Sequence, residues 1–196
     1  MRIAATIFLY LLCAVFEVAH GQVSLCMNES NRARALKLKK AYIDNNCLVF
    51  FNCFPKSFSD LCAIYDYKEY DESCNLYSFY DKHIDYLFNC KKIYKKEVLI
   101  DKIILISIDG EWRADAIGLF QANERKLIIN NTDIFLRELN KRSNSEQRSL
   151  WHFIFDGSPP HDKQIRELYK TLFVLVSKKD ALQARIMKEE FYKMYH

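Results

Sequence analysis

The scarcity of glycine and proline constrains the fold of this chain more than any other feature of its sequence. Only four Gly and three Pro occur among 196 residues, and no Pro lies between Pro55 and Pro159. Folds built from short strands need many tight turns, and those turns are rich in Gly and Pro. The sequence therefore predicts an all-α fold made of long helices.

Apolar residues at helical spacing support this prediction. They recur at i, i+3, i+4 and i+7 over residues 76–88, and the stripe over residues 165–176 is the clearest in the chain. Ser143 and Glu146 show the spacing of a capping box at the start of another helix. The segment 98–108 is apolar and rich in β-branched residues, so its pattern fits either a strand or a buried helix.

The N-terminus has the pattern of a secretory signal peptide. Arg2 precedes an uncharged, apolar run from Ile3 to Phe16, and the small residues Ala19 and Gly21 precede the expected cleavage point. The run is shorter than the roughly 20 apolar residues that a membrane-spanning helix needs. We therefore expect a secreted, extracellular protein with no transmembrane segment in the mature chain.

Six cysteines remain after the predicted cleavage, and all of them lie before residue 91. They are Cys26, Cys47, Cys53, Cys62, Cys74 and Cys90. An even number of cysteines in an oxidising compartment predicts a disulfide framework, here of three bridges, although spacing alone does not choose the pairing. A zinc site is the alternative, but the chain has no CxxC pair and no His at ligand spacing from a Cys. We therefore predict no metal site and no cofactor.

One cysteine-bounded segment carries a family resemblance. The stretch from Cys62 to Cys74, which reads CAIYDYKEYDESC, resembles the helical segments between cysteines in small secreted nematode proteins of unknown function. The resemblance covers less than a tenth of the chain. It implies an extracellular, helical, cysteine-rich domain and no particular activity.

These features divide the chain into three predicted regions. Residues 1–21 form the signal peptide, residues 22–96 a disulfide-braced helical region, and residues 97–196 a Cys-free bundle of about four helices. The boundary between the two helical regions falls at the basic stretch 91–96. Whether these regions are separate domains or parts of one domain stays open.

Two tripeptides have the acceptor sequence for N-glycosylation. They are Asn28-Glu29-Ser30 and Asn130-Asn131-Thr132. In a secreted chain these sequences predict glycans on Asn28 and Asn130.

The chain contains no familiar catalytic motif. It has no GxSxG, HExxH, P-loop or GxGxxG sequence. His152 and Asp156 are four residues apart on a predicted helix, so they could meet as a base and its orienting carboxylate or as two metal ligands. The plainer interpretation is a histidine at a helix C-terminus beside a capping carboxylate. His83 lies on an apolar stripe and is predicted to be a core histidine. We predict no catalytic residue and a non-enzymatic protein.

Two basic segments supply the candidate binding residues. They contain Arg32, Arg34, Lys37, Lys39 and Lys40 in the first segment and Lys91, Lys92, Lys95 and Lys96 in the second. Tyrosine and isoleucine residues lie among these cations, so the segments could dock on an acidic surface such as a glycosaminoglycan or an anionic lipid. The plainer interpretation is a solvated helix face and a linker.

The leading hypothesis from the sequence is an extracellular interaction protein that binds another protein or a polyanionic surface. The first alternative is a carrier of a lipid or other apolar ligand, which would need a closed apolar cavity between helices. The second is an unrecognised secreted hydrolase, which would need His152 and Asp156 in a cleft with a nucleophile. A formal charge of +4 is mild, and the expected compartment argues against nucleic acid as a partner.

Overall fold

The computed structural model of the protein describes residues 29–67, 76–90, 95–159 and 162–195. Over these residues the chain forms ten α-helices and one short 3-10 helix, with no strand. The predicted all-α class is therefore confirmed. Several sequence predictions lie outside the described residues: the signal peptide, Cys26, Asn28, Cys74, Lys91 and Lys92.

The helices are numbered here along the chain. In chain order they are α1 (Glu29–Ile43), α2 (Cys47–Cys53), α3 (Phe58–Tyr65), the 3-10 helix (Tyr77–Phe79), α4 (Tyr80–Asn89), α5 (Lys96–Ser107), α6 (Ala116–Asn130), α7 (Thr132–Leu139), α8 (Asn144–Phe155), α9 (Lys163–Ser177) and α10 (Ala181–Tyr195). The predicted capping box is present at the start of α8. The Ser143 backbone N–H donates to the Glu146 carboxylate at 2.7 Å, and the Glu146 N–H donates to the Ser143 hydroxyl at 3.3 Å.

Two apolar cores meet along α5 and α6. The first core is formed by α1 to α4, and Ile103 of α5 and Phe120 of α6 also belong to it. The second is formed mainly by α7 to α10, and Ile104 of α5 and Ile128 of α6 belong to that one. Because α5 is buried on two sides, its sequence shows no single apolar stripe. This explains why segment 98–108 could be assigned to either a strand or a helix.

One disulfide joins helices of the first core. Cys47 at the start of α2 is bonded to Cys90 at the end of α4, and their Cα atoms lie 5.8 Å apart. Cys53 and Cys62 carry free thiols, so the expectation of three bridges is wrong for these two residues. Both side chains pack against the first core, where a thiol behaves as a small apolar group.

Two glycines offer a matched test of the turn between α8 and α9. Gly157 has φ +93°, and a Cβ on it would overlap the indole ring of Trp112. A Cβ on Gly118, inside α6, would make only ordinary contacts at 3.8 Å.

We expect Gly157→Ala to lower the free energy of unfolding by about 1–2 kcal/mol, because the left-handed backbone disfavours a Cβ. We expect Gly118→Ala to raise it by about 0.5–1 kcal/mol, because alanine lowers the entropy of the unfolded chain. Urea denaturation of the two variants measures both values. Shifts in the same direction would contradict this account.

Candidate interaction surface

Helix α1 has one face in the first core and one face in solvent. Ala35, Leu38 and Ala41 are buried against α2 and α3. The opposite face is exposed from Arg32 to the end of the helix. It carries the exposed side chains Arg32, Leu36, Lys37, Lys39, Lys40 and Ile43. Cations and aliphatic side chains therefore share the solvent face of α1.

The connection between α1 and α2 is held in place by several contacts. Asn45 has φ 51°, and its side-chain carbonyl accepts from the Tyr86 hydroxyl at 3.0 Å. The Asn46 side chain caps α2 by accepting from the Val49 N–H at 3.1 Å. The Cys47–Cys90 disulfide anchors the same connection to α4. The exposed aliphatic residues Ile43, Leu48 and Val49 thus lie on a braced helical hairpin, and we call these three residues the hairpin tip.

The net charge of the chain is concentrated in α1. This helix contains five of the 29 Lys and Arg residues and one of the 25 Asp and Glu residues. The remaining 24 residues of each sign cancel, so the helix alone accounts for the formal charge of +4. A mild overall charge therefore conceals a strongly basic helix.

The structure divides the first basic segment by the partners of its cations. Arg34 points toward α3, where its guanidinium pairs with Asp60 at 2.7 Å, so it does not belong to the solvent face. Lys40 pairs with Asp44 at 2.8 Å, and the Lys39 ammonium lies 4.9 Å from the centre of the Phe79 ring. Within this first segment, the cations that remain on the solvent face are therefore Arg32, Lys37, Lys39 and Lys40, which we call the α1 cations.

Only the end of the second basic segment is described. Lys95 precedes α5 and Lys96 is its first residue, and both side chains are exposed. The segment begins directly after Cys90, whose disulfide partner Cys47 belongs to the α1–α2 hairpin.

A groove of about 390 Å³ lies between α4, α5 and α6. Phe88, Leu99 and Leu127 supply its apolar lining, while Lys96 and Lys126 supply cations. Asparagine side chains complete the wall. This mixed, open groove differs from the closed apolar cavity that a lipid carrier would need.

A second groove, of about 230 Å³, contains charged groups that satisfy one another. Arg113 donates to Asp66 and to Glu111, each at 2.6 Å. The Tyr77 hydroxyl donates to Asp115 at 2.6 Å. Because these charges are paired within the protein, they would attract a charged ligand less strongly than the cations on the solvent face of α1.

The pair His152 and Asp156 has the geometry of a helix end. His152 is exposed in the last turn of α8. One Asp156 carboxylate oxygen accepts from the Trp112 backbone N–H at 2.6 Å, and the other accepts from the Gly157 N–H at 2.8 Å. Both oxygens therefore accept hydrogen bonds from backbone N–H groups at the end of α8, which agrees with the capping interpretation.

His83 is a fully buried core residue, as its apolar stripe predicts. The rings of Tyr42, Phe50, Tyr65 and Phe79 surround it, with ring centres 4.8–5.9 Å away. Its Nδ1 lies 3.0 Å from the Tyr65 hydroxyl, while Nε2 has no hydrogen-bond partner. Burial lowers the pKa of His83 to about 4, so the ring is neutral at pH 7.

The predicted glycan acceptor Asn130 is the exposed last residue of α6. The hydroxyl of Thr132, the third residue of the tripeptide, is buried and donates to the Ile128 carbonyl at 3.0 Å. Asn130 also borders the larger groove. Glycosylation at this position stays a prediction.

Two further properties of the described residues concern metal ions and membranes. None of their His, Cys, Asp and Glu side chains form a group of three that could hold a metal ion. None of the helices is by itself long and apolar enough to cross a membrane, and the pair α2 and α3, which together pass that test, is bent by 110°.

The exposed aliphatic residues beside the α1 cations are the part of the surface that the sequence analysis missed. A signal was available, because Leu36 and Ile43 are seven residues apart and out of phase with Ala35, Leu38 and Ala41. Leu48 and Val49 gave no such signal, since every residue of α2 except Asn52 is apolar.

Comparison with known proteins gives no relative from which to transfer a function. No family model matches the chain, no curated protein matches it, and no solved structure matches it.

Proposed function

We propose that this protein is a secreted, non-enzymatic extracellular protein that binds a polyanionic surface through the solvent face of α1. The observation that carries the proposal is the concentration of the whole net charge in this one helix. Exposed cations on one face raise the local concentration of a polyanion and attract it at long range. The apolar N-terminal run and the Cys47–Cys90 bridge support an extracellular setting.

The pairing of the cations supports the same surface. Of the four α1 cations, Lys40 pairs with Asp44, which directly follows the helix, and Lys39 lies over the Phe79 ring. Exposed ion pairs are worth only about 0–1 kcal/mol, so Lys40 can exchange Asp44 for an external phosphate or sulfate. The surface can therefore bind a polyanion with little cost to the fold.

The charge on α1 predicts retention on immobilised heparin, a sulfated polyanion. We expect the triple variant Arg32→Gln, Lys37→Gln, Lys40→Gln to elute at clearly lower salt. The slope of log affinity against log salt should fall by up to about 3, one for each lost contact. The control variant Lys163→Gln, Lys178→Gln, Lys188→Gln removes the same amount of charge from exposed positions in the C-terminal part of the chain. It should elute close to the unchanged protein.

Equal elution of the two triple variants would show that heparin responds to overall charge only, and the proposal would fail. Circular dichroism of each variant checks that the helices are kept.

A carrier of an apolar ligand is the alternative, and the larger groove is the observation that bears on it. Native mass spectrometry of the secreted protein distinguishes the two proposals, because a carrier would retain a co-purified small molecule and a surface-binding protein would not.

A further inference from the structure

Exposed aliphatic side chains are concentrated next to the α1 cations. Among the described residues, Leu36, Ile43, Leu48 and Val49 are exposed by 58%, 68%, 50% and 42% of their surface. They are four of the twelve large apolar residues that the structure leaves exposed, and they fall within fourteen consecutive positions. A single exposed leucine is ordinary, whereas a group of such residues indicates a surface that is covered in use.

Leu36 and Ile43 point in nearly the same direction as several of the α1 cations. At about 100° per residue, Arg32, Leu36 and Ile43 lie within about 40° of one another around the axis of α1. Lys40 falls on the same side. Beyond the end of α1, Leu48 and Val49 at the start of α2 are exposed as well.

The hairpin tip is suited to enter an apolar phase without unfolding. Asn46 caps α2, Tyr86 donates to Asn45, and the disulfide fixes Cys47. The backbone of the tip is therefore already ordered, so binding costs little conformational entropy. Asp44 is the carboxylate nearest the tip in sequence, and Lys40 pairs with it.

We infer that the polyanion is the surface of an anionic lipid bilayer. The α1 cations contact lipid phosphates, and the hairpin tip inserts at the boundary between headgroups and acyl chains. This inference rests on the function proposed above and names its ligand. A soluble sulfated polysaccharide would satisfy the cations alone, whereas a bilayer offers negative charge and an apolar phase about 5–10 Å below it. The surface carries both complementary groups.

The test compares binding to phospholipid vesicles with retention on heparin. Vesicles of phosphatidylcholine with phosphatidylserine are sedimented with the protein, and vesicles of pure phosphatidylcholine serve as the uncharged comparison. We expect binding to the anionic vesicles only. The variant Arg32→Gln, Lys37→Gln, Lys40→Gln should lose roughly 100-fold in partition, given the contribution of each cation near an anionic membrane.

A second variant isolates the apolar contribution. Ile43→Ser, Leu48→Ser, Val49→Ser should lose roughly 30- to 100-fold in vesicle partition and keep its retention on heparin, because it retains every α1 cation. The control Val98→Ser, Val174→Ser, Leu182→Ser changes three comparably exposed aliphatic residues elsewhere and should bind vesicles like the unchanged protein. All six positions are exposed, so the fold should tolerate both variants.

The outcomes separate this inference from the proposed function. If the hairpin-tip variant binds anionic vesicles like the unchanged protein, bilayer insertion is refuted, while the heparin result still decides whether the face binds polyanions. Failure of the unchanged protein to bind anionic vesicles while it binds heparin refutes the bilayer and leaves a sulfated polysaccharide or an acidic protein as the partner. If the charge variant keeps both its heparin binding and its vesicle binding, the proposed function and the bilayer inference are both refuted.

Discussion

Replacing both Cys47 and Cys90 with alanine is expected to lower the free energy of unfolding by about 4 kcal/mol. The bridge joins residues 43 positions apart, and the chain-entropy model gives a loss of this order for such a loop. The free energy of unfolding of a single domain is only about 5–15 kcal/mol, so this loss removes a large part of the stability of the protein. Urea denaturation under non-reducing conditions measures the change.

Cys53→Ala is the matched control, because this residue also packs against the first core but has a free thiol. It should cost much less than the loss of the bridge. A similar cost for the two changes would show that side-chain packing, and not the covalent link, stabilises this part of the protein.

The same double variant tests the predicted boundary between residues 96 and 97. If the two regions unfold separately, amide hydrogen exchange should show loss of protection in α1 to α4 and retained protection in α7 to α10. Helix α5 is the informative element, because Ile103 belongs to the first core and Ile104 to the second. Loss of protection across all helices would show one cooperative domain.

Glu124→Gln is expected to stabilise the protein at pH 8 and to change its stability little near pH 4.5. Glu124 is fully buried in α6, and the Ser107 hydroxyl lies 2.8 Å from each of its carboxylate oxygens. Burial raises the pKa of this carboxyl to about 8, against the effect of Ser107 and of the neighbouring Arg125, which lower it. The folded protein therefore holds a neutral acid at physiological pH.

The direction of the pH dependence follows from proton binding. Between pH 4.5 and 8 the unfolded chain has lost the Glu124 proton while the folded protein keeps it. Stability therefore falls as pH rises through this window, by at most about 5 kcal/mol. Glutamine has a similar shape and no proton to lose, so the variant avoids this fall.

His83 acts in the opposite direction over part of the same range. Burial lowers its pKa to about 4, with Asp81 and Lys39 as the nearby charges, so its contribution to stability increases as pH rises from about 4 to 6.5. Because both the unchanged protein and Glu124→Gln contain His83, its contribution cancels when their free energies of unfolding are compared at the same pH.

Urea denaturation of the unchanged protein and Glu124→Gln at pH 5 and pH 8 measures the effect. Glu167→Gln, a change at an exposed carboxylate paired with Lys170, is the control and should show no gain at pH 8. A gain from Glu124→Gln that is the same at both pH values would contradict the assignment of a raised pKa.

Local features of the chain were predictable because they depend on neighbours in the sequence. Helix class follows from the spacing of apolar residues and the scarcity of Gly and Pro. The Ser143–Glu146 cap depends on only four residues. The predicted helix over residues 76–88 was close to the observed 3-10 helix and α4.

Burial of single ionisable residues was not predictable. Glu124 and Lys102 occupy helices that also carry exposed charged residues, and nothing in their spacing marks them as buried. Lys102 donates to the Phe54 carbonyl at 3.0 Å, and burial lowers its pKa to about 8. Such contacts join residues far apart in the sequence, so only the packed chain shows them.

The sequence by itself determined the helical class of this protein, the Ser143–Glu146 cap and the basic character of α1. Tertiary structure decided which two of the described cysteines pair and which cations of α1 remain available. Arg34 and Arg32 are the same residue type two positions apart, yet one pairs with Asp60 and the other faces solvent. The reason is that a helix turns by about 100° per residue, so packing of one face against α3 assigns neighbouring residues to opposite environments.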